Sequence, residues 1–229
     1  MTPIEPLIRP GSPEFEERRA HNEALVERLR ALEARAEAAS ARGTRDWAKR
    51  GKLSPRERLA HLLDPGRVFL PLSTLAGYRV DDPDPESSVP GGSQLAGIGF
   101  VSGERCAVIA TDSGIAGGAL TEMGNLKLQR IQELALENSL PFVQLVESAG
   151  ANLLRYRVDK FVRGGAIFRN LALLSAAGCP VVTVVHGASA AGGAYMPGLS
   201  DYVIMVKGQA RAYLAGPALL RAATGEVAD

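Results

Sequence analysis

Residues Val185 to Tyr195 read VHGASAAGGAY: a strand end, then a run of small residues closed by one bulky aromatic. Without bulky side chains in the way, the backbone of such a run comes very close to a phosphate, a neighbouring helix or a reacting carbonyl. A second cluster, VESAGANL at 146 to 153, follows another apolar run. Both lie at the C-terminal ends of predicted strands, where open α/β sheets hold their ligands. Small residues there free backbone N–H groups to point at a ligand, and two N–H groups aimed at a thioester oxygen make an oxyanion hole. One cluster alone is better explained by close helix–strand packing. Two at successive strand ends favour a site.

Working outward, helical and strand patterns alternate from Gly92 onward. QLAGIGFVSG and CAVIATD predict two strands joined by a tight Ser102-Gly103 turn. A helix is expected from about Met123 to Asn138, a strand from Phe142 to Glu147, a helix from about Lys160 to Ala177 and a strand from Pro180 to His186. A short glycine-started helix then leads to a last strand, Tyr202 to Val206. Strands of continuous Val, Ile and Leu separated by helices imply a parallel sheet covered on its faces. Upstream, residues 13 to 40 form the clearest helix, with Leu25, Leu29, Leu32 and Ala36 at helical spacing among Glu and Arg, and Ser12-Pro13 as N-cap and N1. Such a stripe packs on the domain or on a partner subunit, and the helix is given no catalytic role. In GKLSPRERLAHLLDPG, residues 51 to 66, Ser54-Pro55 caps a short helix. The stretch Tyr78 to Gly92 is rich in Asp, Pro, Gly and Ser and reads as a surface loop or mobile excursion.

The 229 residues suit one sizeable α/β domain with an extra arm; 46% are hydrophobic, and 26 basic residues nearly cancel 25 acidic ones. That balance gives no reason to expect a nucleic-acid or membrane partner. MTPIEPLIRPGSPEFEE has no apolar core of a signal peptide and is too acidic for a transit peptide, so a cytoplasmic location is expected. Cys106 and Cys179, in or beside apolar runs, read as buried thiols.

A nucleotide-binding fold would need a phosphate loop. GIGFVSG places its last glycine one residue too late for G-x-G-x-x-G and sits in a hairpin, and no G-x-x-x-x-G-K-[ST] occurs. Ser148 and Ser189 lie in the two clusters, but His186, three residues before Ser189, makes no known nucleophile elbow and reads as a packed, hydrogen-bonded residue. His21 and His61 lie far along the chain, and the isolated histidines make no metal-ligand spacing, so no metal is expected. Well-placed N–H donors without an obvious side-chain base point to chemistry in which the second substrate is itself the base.

GKLSPRERLAHLLDPG, GIGFVSGERCAVIATD, LKLQRIQELALENSLPFVQLVESAGANL, HGASAAGGAYMPGLSDYVIM and AYLAGPALLRAATGEV, in that order and spacing, resemble the N-terminal half of the carboxyltransferase β subunits of biotin-dependent acyl-CoA carboxylases (propionyl-, methylcrotonyl- and geranyl-CoA types). The resemblance runs from about Glu16 to the end. It implies an α/β crotonase-like fold, a ββα spiral, with an N-terminal helical arm over 1–66 and the carboxyltransferase domain over 67–229. It also implies transfer of carboxylate from biotin to an acyl-CoA. The AYLAGPALLRAATGEV segment is closer to the methylcrotonyl and geranyl branch than to the propionyl branch, so a methylcrotonyl-CoA-like substrate is favoured, with geranyl-CoA and propionyl-CoA as alternatives. Biotin would arrive as carboxybiotin on a partner biotin carboxylase or carrier subunit, and ATP would be used by that partner. Carried over by motif, the backbone N–H groups of Gly150 and Ala151 would hold the thioester oxygen. Ala149, Gly187, Ala191, Gly192, Gly193 and Ala194 would line the substrate pocket. Peptidases of the same superfold place a nucleophilic serine where this chain has Ala191, which argues against proteolysis. Glu147-Ser148-Ala149-Gly150-Ala151 departs from the usual Asp-Ser-Gly-Gly-Ala of the family, and the extra methyl at Ala149 bears on substrate identity. Family members continue beyond GEVAD for a comparable length, so this chain is expected to hold half of a site, completed by its own C-terminal half or a second β subunit in a homo-oligomer. The rival readings are a crotonase-type hydratase or thioesterase, for which Glu147 and Glu122 are the candidate carboxylates, and a truncated subunit without turnover.

Overall fold

A computed structural model describes residues 9–151 and 158–227. Asn152 and Leu153 of the VESAGANL cluster, the first eight residues of the N-terminal segment and the last two residues of GEVAD lie outside the described residues. The chain opens with α1 (Pro13–Ala41), whose N-cap Ser12 accepts a hydrogen bond from the Phe15 N–H, with Pro13 at the first helical position. Two short helices follow, α2 (Thr44–Lys49) and α3 (Pro55–Leu62). α3 starts in a capping box: Ser54 Oγ accepts from the Glu57 N–H at 3.2 Å while Glu57 Oε2 accepts from the Ser54 N–H at 2.8 Å.

Strand β1 (Leu70–Pro71) edges the hairpin of β2 (Gln94–Val101) and β3 (Glu104–Thr111). The expected turn is there. Ser102 (φ 54°) and Gly103 (φ 85°) both take positive φ, as a two-residue hairpin turn of matching twist requires. The Asp64 carboxylate accepts both of their N–H groups, at 2.8 and 2.7 Å. Next come α4 (Glu122–Glu137), β4 (Phe142–Ser148), α5 (Val158–Gly164), α6 (Ala166–Ala176) and β5 (Val181–Ala190). The described chain closes with α7 (Gly192–Gly198), β6 (Tyr202–Met205), β7 (Arg211–Tyr213) and α8 (Pro217–Thr224).

Among the described residues the strands form one seven-stranded sheet in the order β1-β2-β3-β4-β5-β6, with β7 also pairing β5. Period-two alternation along β3 sends Ala107 and Ile109 to one face and Cys106 and Val108 to the other. The first face is the main core. There Leu128 and Ile131 of α4 and Leu171 and Leu174 of α6 pack on Phe142, Val146 and Val181. The second face is covered near β2 and β3 by Leu59 of α3. Cys106 and Cys179 are buried free thiols.

Five expectations need correction. The sheet is mixed, since β1, β2 and β3 are antiparallel and only β3 onward runs parallel. The helix expected from 160 to 177 is two helices meeting at Gly164-Gly165, where a Cβ on Gly164 would stand 2.7 Å from Asn125 Nδ2 of α4. The 78–92 stretch is tied down as well as looped: Ser88 is fully buried, its Oγ accepts from the Arg79 N–H, and Arg35 of α1 donates to the Pro85 and Ser88 carbonyls. Strand β6, as apolar as β4, is exposed along its whole length, because it lies at the sheet end and no described element covers it. The α1 stripe is likewise uncovered at Leu25 and Leu29; the helix is buried only at its end, at Ala39 and Ser40.

Candidate active site

The small-residue runs face each other. Strand β5 continues to Ala190, four residues beyond its expected end, so GASA is strand rather than loop and Ser189 pairs in register with Ser148. A Cβ on Gly187 would fall 2.1 Å from Glu147 Oε1, one on Gly193 would fall 2.9 Å from Ser148 Cβ, and one on Gly150 would fall 3.3 Å from the Ala190 carbonyl. What the backbone of VHGASAAGGAY approaches is therefore the other cluster. Gly187 and Gly193 are buried in that contact, whereas Ala149, Ala151 and Ala191 are exposed.

Beyond β5 the chain turns at Ala191 (φ 49°, ψ −117°), which accepts from the Ala194 and Tyr195 N–H groups to start α7 and donates its own N–H to the Tyr213 carbonyl at 3.0 Å. Such a conformation costs a non-glycine residue on the order of 1–3 kcal/mol and is characteristic of functional turns. On the β4 side, Ser148 Oγ donates to the Gly118 carbonyl at 3.0 Å and accepts from the Gly150 N–H at 3.1 Å. The Gly150 carbonyl accepts from Leu120 N–H, and Ala151 forms a lone bridge with Leu120. The first of the two expected oxyanion donors is thus held by a neighbouring hydroxyl. Ser148 is not set up as a nucleophile, since its hydroxyl is committed to backbone groups; Ser189 Oγ and His186 Nδ1 are both buried without a hydrogen-bond partner.

A cleft of about 500 Å³ opens beside these strand ends. Ser148, Ala149 and Ala188 of the clusters line it, with Ser113, Gly114 and Gly117 from the segment after β3 and Tyr213 from β7. The remaining wall comes from the α1–α2 region: Arg42, Gly43, Trp47 and Arg50. A helical arm with no expected role in the site therefore supplies one side of it. That wall is anchored where Ser40 Oγ donates to the buried Asp112 carboxylate at 2.7 Å, a carboxyl whose pKa burial pushes up.

Glu147 is the sole carboxylate among the cleft-lining residues, and it is tightly held. Lys52 Nζ reaches Oε1 at 2.5 Å and Ser113 Oγ donates to Oε2 at 2.9 Å. Burial pushes the Glu147 pKa up, but the Lys52 and Ser113 hydrogen bonds and the Lys52 charge outweigh it, leaving the pKa below the ordinary carboxylate value. His186 Nδ1 lies 3.7 Å from Oε2. This histidine is packed as expected, at 1% exposure, but its Nδ1 is unpartnered rather than hydrogen-bonded. Burial, together with the Arg58 charge, lowers its pKa to about 4, so it is neutral at pH 7. Lys52 carried no signal in the sequence, because its partner lies 95 residues further along the chain. Glu122, the other candidate carboxylate, is at the start of α4 and does not line the cleft.

The carboxyl transferase domain family matches residues 47–229. The chain belongs to that family. It is 44% identical over 180 residues to a probable biotin-dependent acyl-coenzyme A carboxylase beta2 subunit of Mycobacterium tuberculosis, covering 79% of this chain and 33% of the relative. It is 41% identical over 212 residues to the biotin-dependent 3-methylcrotonyl-coenzyme A carboxylase beta1 subunit of the same organism, covering 90% and 39%. Among solved structures, the beta subunit of geranyl-CoA carboxylase from P. aeruginosa superposes with a TM-score of 0.88 at 46% identity, covering 99% of this chain and 41% of that one. A transcarboxylase 12S hexamer with methylmalonyl-coenzyme A bound gives a TM-score of 0.78 at 29% identity, covering 90% and 40%. The chain spans about a third of the length of these curated relatives. The family's fold is the crotonase-like one expected from the sequence, and this chain has it.

Proposed function

We propose that this chain is the acyl-CoA-binding part of a carboxyltransferase β subunit in a biotin-dependent acyl-CoA carboxylase. The observation that carries the reading is a cleft floored by two mutually packed small-residue strand ends, whose one carboxylate is already neutralised by Lys52. A hydratase or thioesterase would need that carboxylate as a base, and a pKa held below the ordinary value by a lysine makes it a poor one.

In this reading the N–H groups of Gly150 and Ala151 receive the thioester oxygen as negative charge builds on it, and Ser148 Oγ gives up the Gly150 N–H when substrate enters. Ala149, exposed in the cleft, meets the acyl group, while Gly187 and Gly193 act by letting β5 and α7 close onto β4. Ala191, Gly192 and Ala194 do not line the cleft and sit at the strained turn into α7. Carboxybiotin, delivered by a carrier partner, supplies the carboxylate and, once it has been given up, a nitrogen able to take the substrate proton. The names of the relatives support methylcrotonyl-CoA or geranyl-CoA as substrate class. The apolar β6 face supports a second domain or subunit completing the assembly.

The test is a radiolabelled-bicarbonate assay with biotin carboxylase, biotin carrier and ATP, run on this chain alone and on the chain supplemented with the C-terminal portion of a related β subunit. Acid-stable label in the acyl-CoA only in the supplemented reaction is the expected result. Hydration or hydrolysis of the acyl-CoA without label incorporation would overturn the reading.

A further inference from the structure

We propose that Lys52 is a positioning residue for the acyl-binding loop, acting by cancelling the charge of Glu147 and fixing the end of β4; the inference rests on the carboxyltransferase reading of the cleft. The β4–β5 ladder pairs regularly from Phe142 to Val146 and then shifts register before Ser148. Backbone pairing therefore does not fix residue 147, and a bulge of this kind redirects the side chains around it. What holds the residue is its side chain. Lys52 grips it from the α2–α3 connection, Ser113 from the segment after β3, and Gly187 leaves the room the carboxylate occupies. Three segments distant in sequence thus converge on the penultimate residue of β4, just ahead of the loop that carries Gly150 and Ala151.

The pair is no surface ornament. The side chains of Lys52 and Glu147 are 11% and 14% exposed. Removing one partner of a buried pair leaves the other charge poorly compensated. Among the described residues, only the Ser113 hydroxyl, neutral His186 and the Arg58 charge would then face Glu147. Here the stranded charge would be a carboxylate at the cleft wall, next to the oxygen on which negative charge develops. Loss of Lys52 therefore harms the transition state twice, by loosening the loop and by opposing the charge that forms there. Ground-state binding of the CoA portion is much less affected.

The test compares K52M, K52R and the double variant K52M/E147Q in the assembled carboxylase. K52M is expected to lower kcat by about tenfold or more with KM within about twofold, as loss of an interaction made mainly in the transition state does. K52R should keep most of the activity. The double variant should recover part of the loss, since it removes the stranded charge but does not restore the Lys52 grip. Hydrogen exchange on this chain without ligand supplies the second arm: K52M should speed exchange in peptides covering 142–151 and leave those of α4 and α6 unchanged. Unchanged kcat in K52M, no recovery in the double variant, or exchange raised equally throughout the chain would each overturn the proposal. If wild-type enzyme carboxylates no acyl-CoA, the functional reading fails by itself, while the exchange arm still decides whether Lys52 orders the loop.

Discussion

The β3–β4–β5 centre of the sheet and its β6 end are written in the same apolar residues and end up in opposite environments. Phe142, Val181 and Val185 are fully buried, whereas Tyr202, Val203, Ile204 and Met205 are each about half exposed or more. Strand composition is not what separates them. The centre has α4 and α6 lying across it, and β6 has no described element over its face. Hydrophobic burial is a property of the cover as much as of the strand, and the candidate site sits on the boundary between the two regions, at the ends of β4 and β5.

The largest effect that separates them is core truncation. Leu171→Ala should cost about 2–5 kcal/mol of unfolding free energy in urea, as for fully buried leucines. A loss well below that would mean the centre is loosely packed and the contrast with β6 overstated.

At the boundary, pH provides the next effect. The folded-state pKa of His186 is lowered to about 4, below its unfolded value, so the unfolded chain binds the extra proton first as pH falls. The stability that neutral His186 allows is fully present above about pH 6.5 and is lost between there and about pH 4, at up to about 1.4 kcal/mol per pH unit. Asp112, whose pKa is raised, contributes with the opposite sign, so the difference between wild type and His186→Gln isolates the histidine. Parallel stability–pH curves for the two would contradict this.

Ser148→Ala ranks third. It removes a buried hydroxyl that bridges Gly118 and Gly150, and should cost about 1–2 kcal/mol of stability. Turnover should survive, because the substitution frees the Gly150 N–H rather than deleting a nucleophile. A dead but folded variant would favour acyl-enzyme chemistry. Smallest is Ile204→Ala on β6, expected within about 0.5 kcal/mol in this chain because the side chain is already exposed. Analytical ultracentrifugation of Ile204→Asp should show less self-association than wild type if the uncovered face is sticky.

Much of this was legible in the sequence, for local reasons. The Ser102-Gly103 turn, the Ser54 cap and the α4 helix each declare themselves within a short stretch of sequence. The two small-residue clusters were likewise visible. Which partner each glycine approaches was not, because Gly187 leaves room for a carboxylate on another strand. The same holds for Lys52 and for the cleft wall of Arg42, Trp47 and Arg50, which meet Glu147 and Ser113 only after the sheet has formed. The exposure of β6 was hidden for a different reason: an apolar strand predicts burial but carries no signal of where its cover comes from.

The central claim is that backbone N–H groups at the end of β4 stabilise charge on the thioester oxygen. It is tested most directly by replacing the Ala151 amide with an ester, through incorporation of lactic acid at that position, which deletes one N–H and leaves the side chain in place. Measured in the assembled carboxylase, kcat should fall by about 10²–10³ with KM little changed, as for loss of an oxyanion donor. An ester variant that turns over acyl-CoA at the wild-type rate would contradict the account.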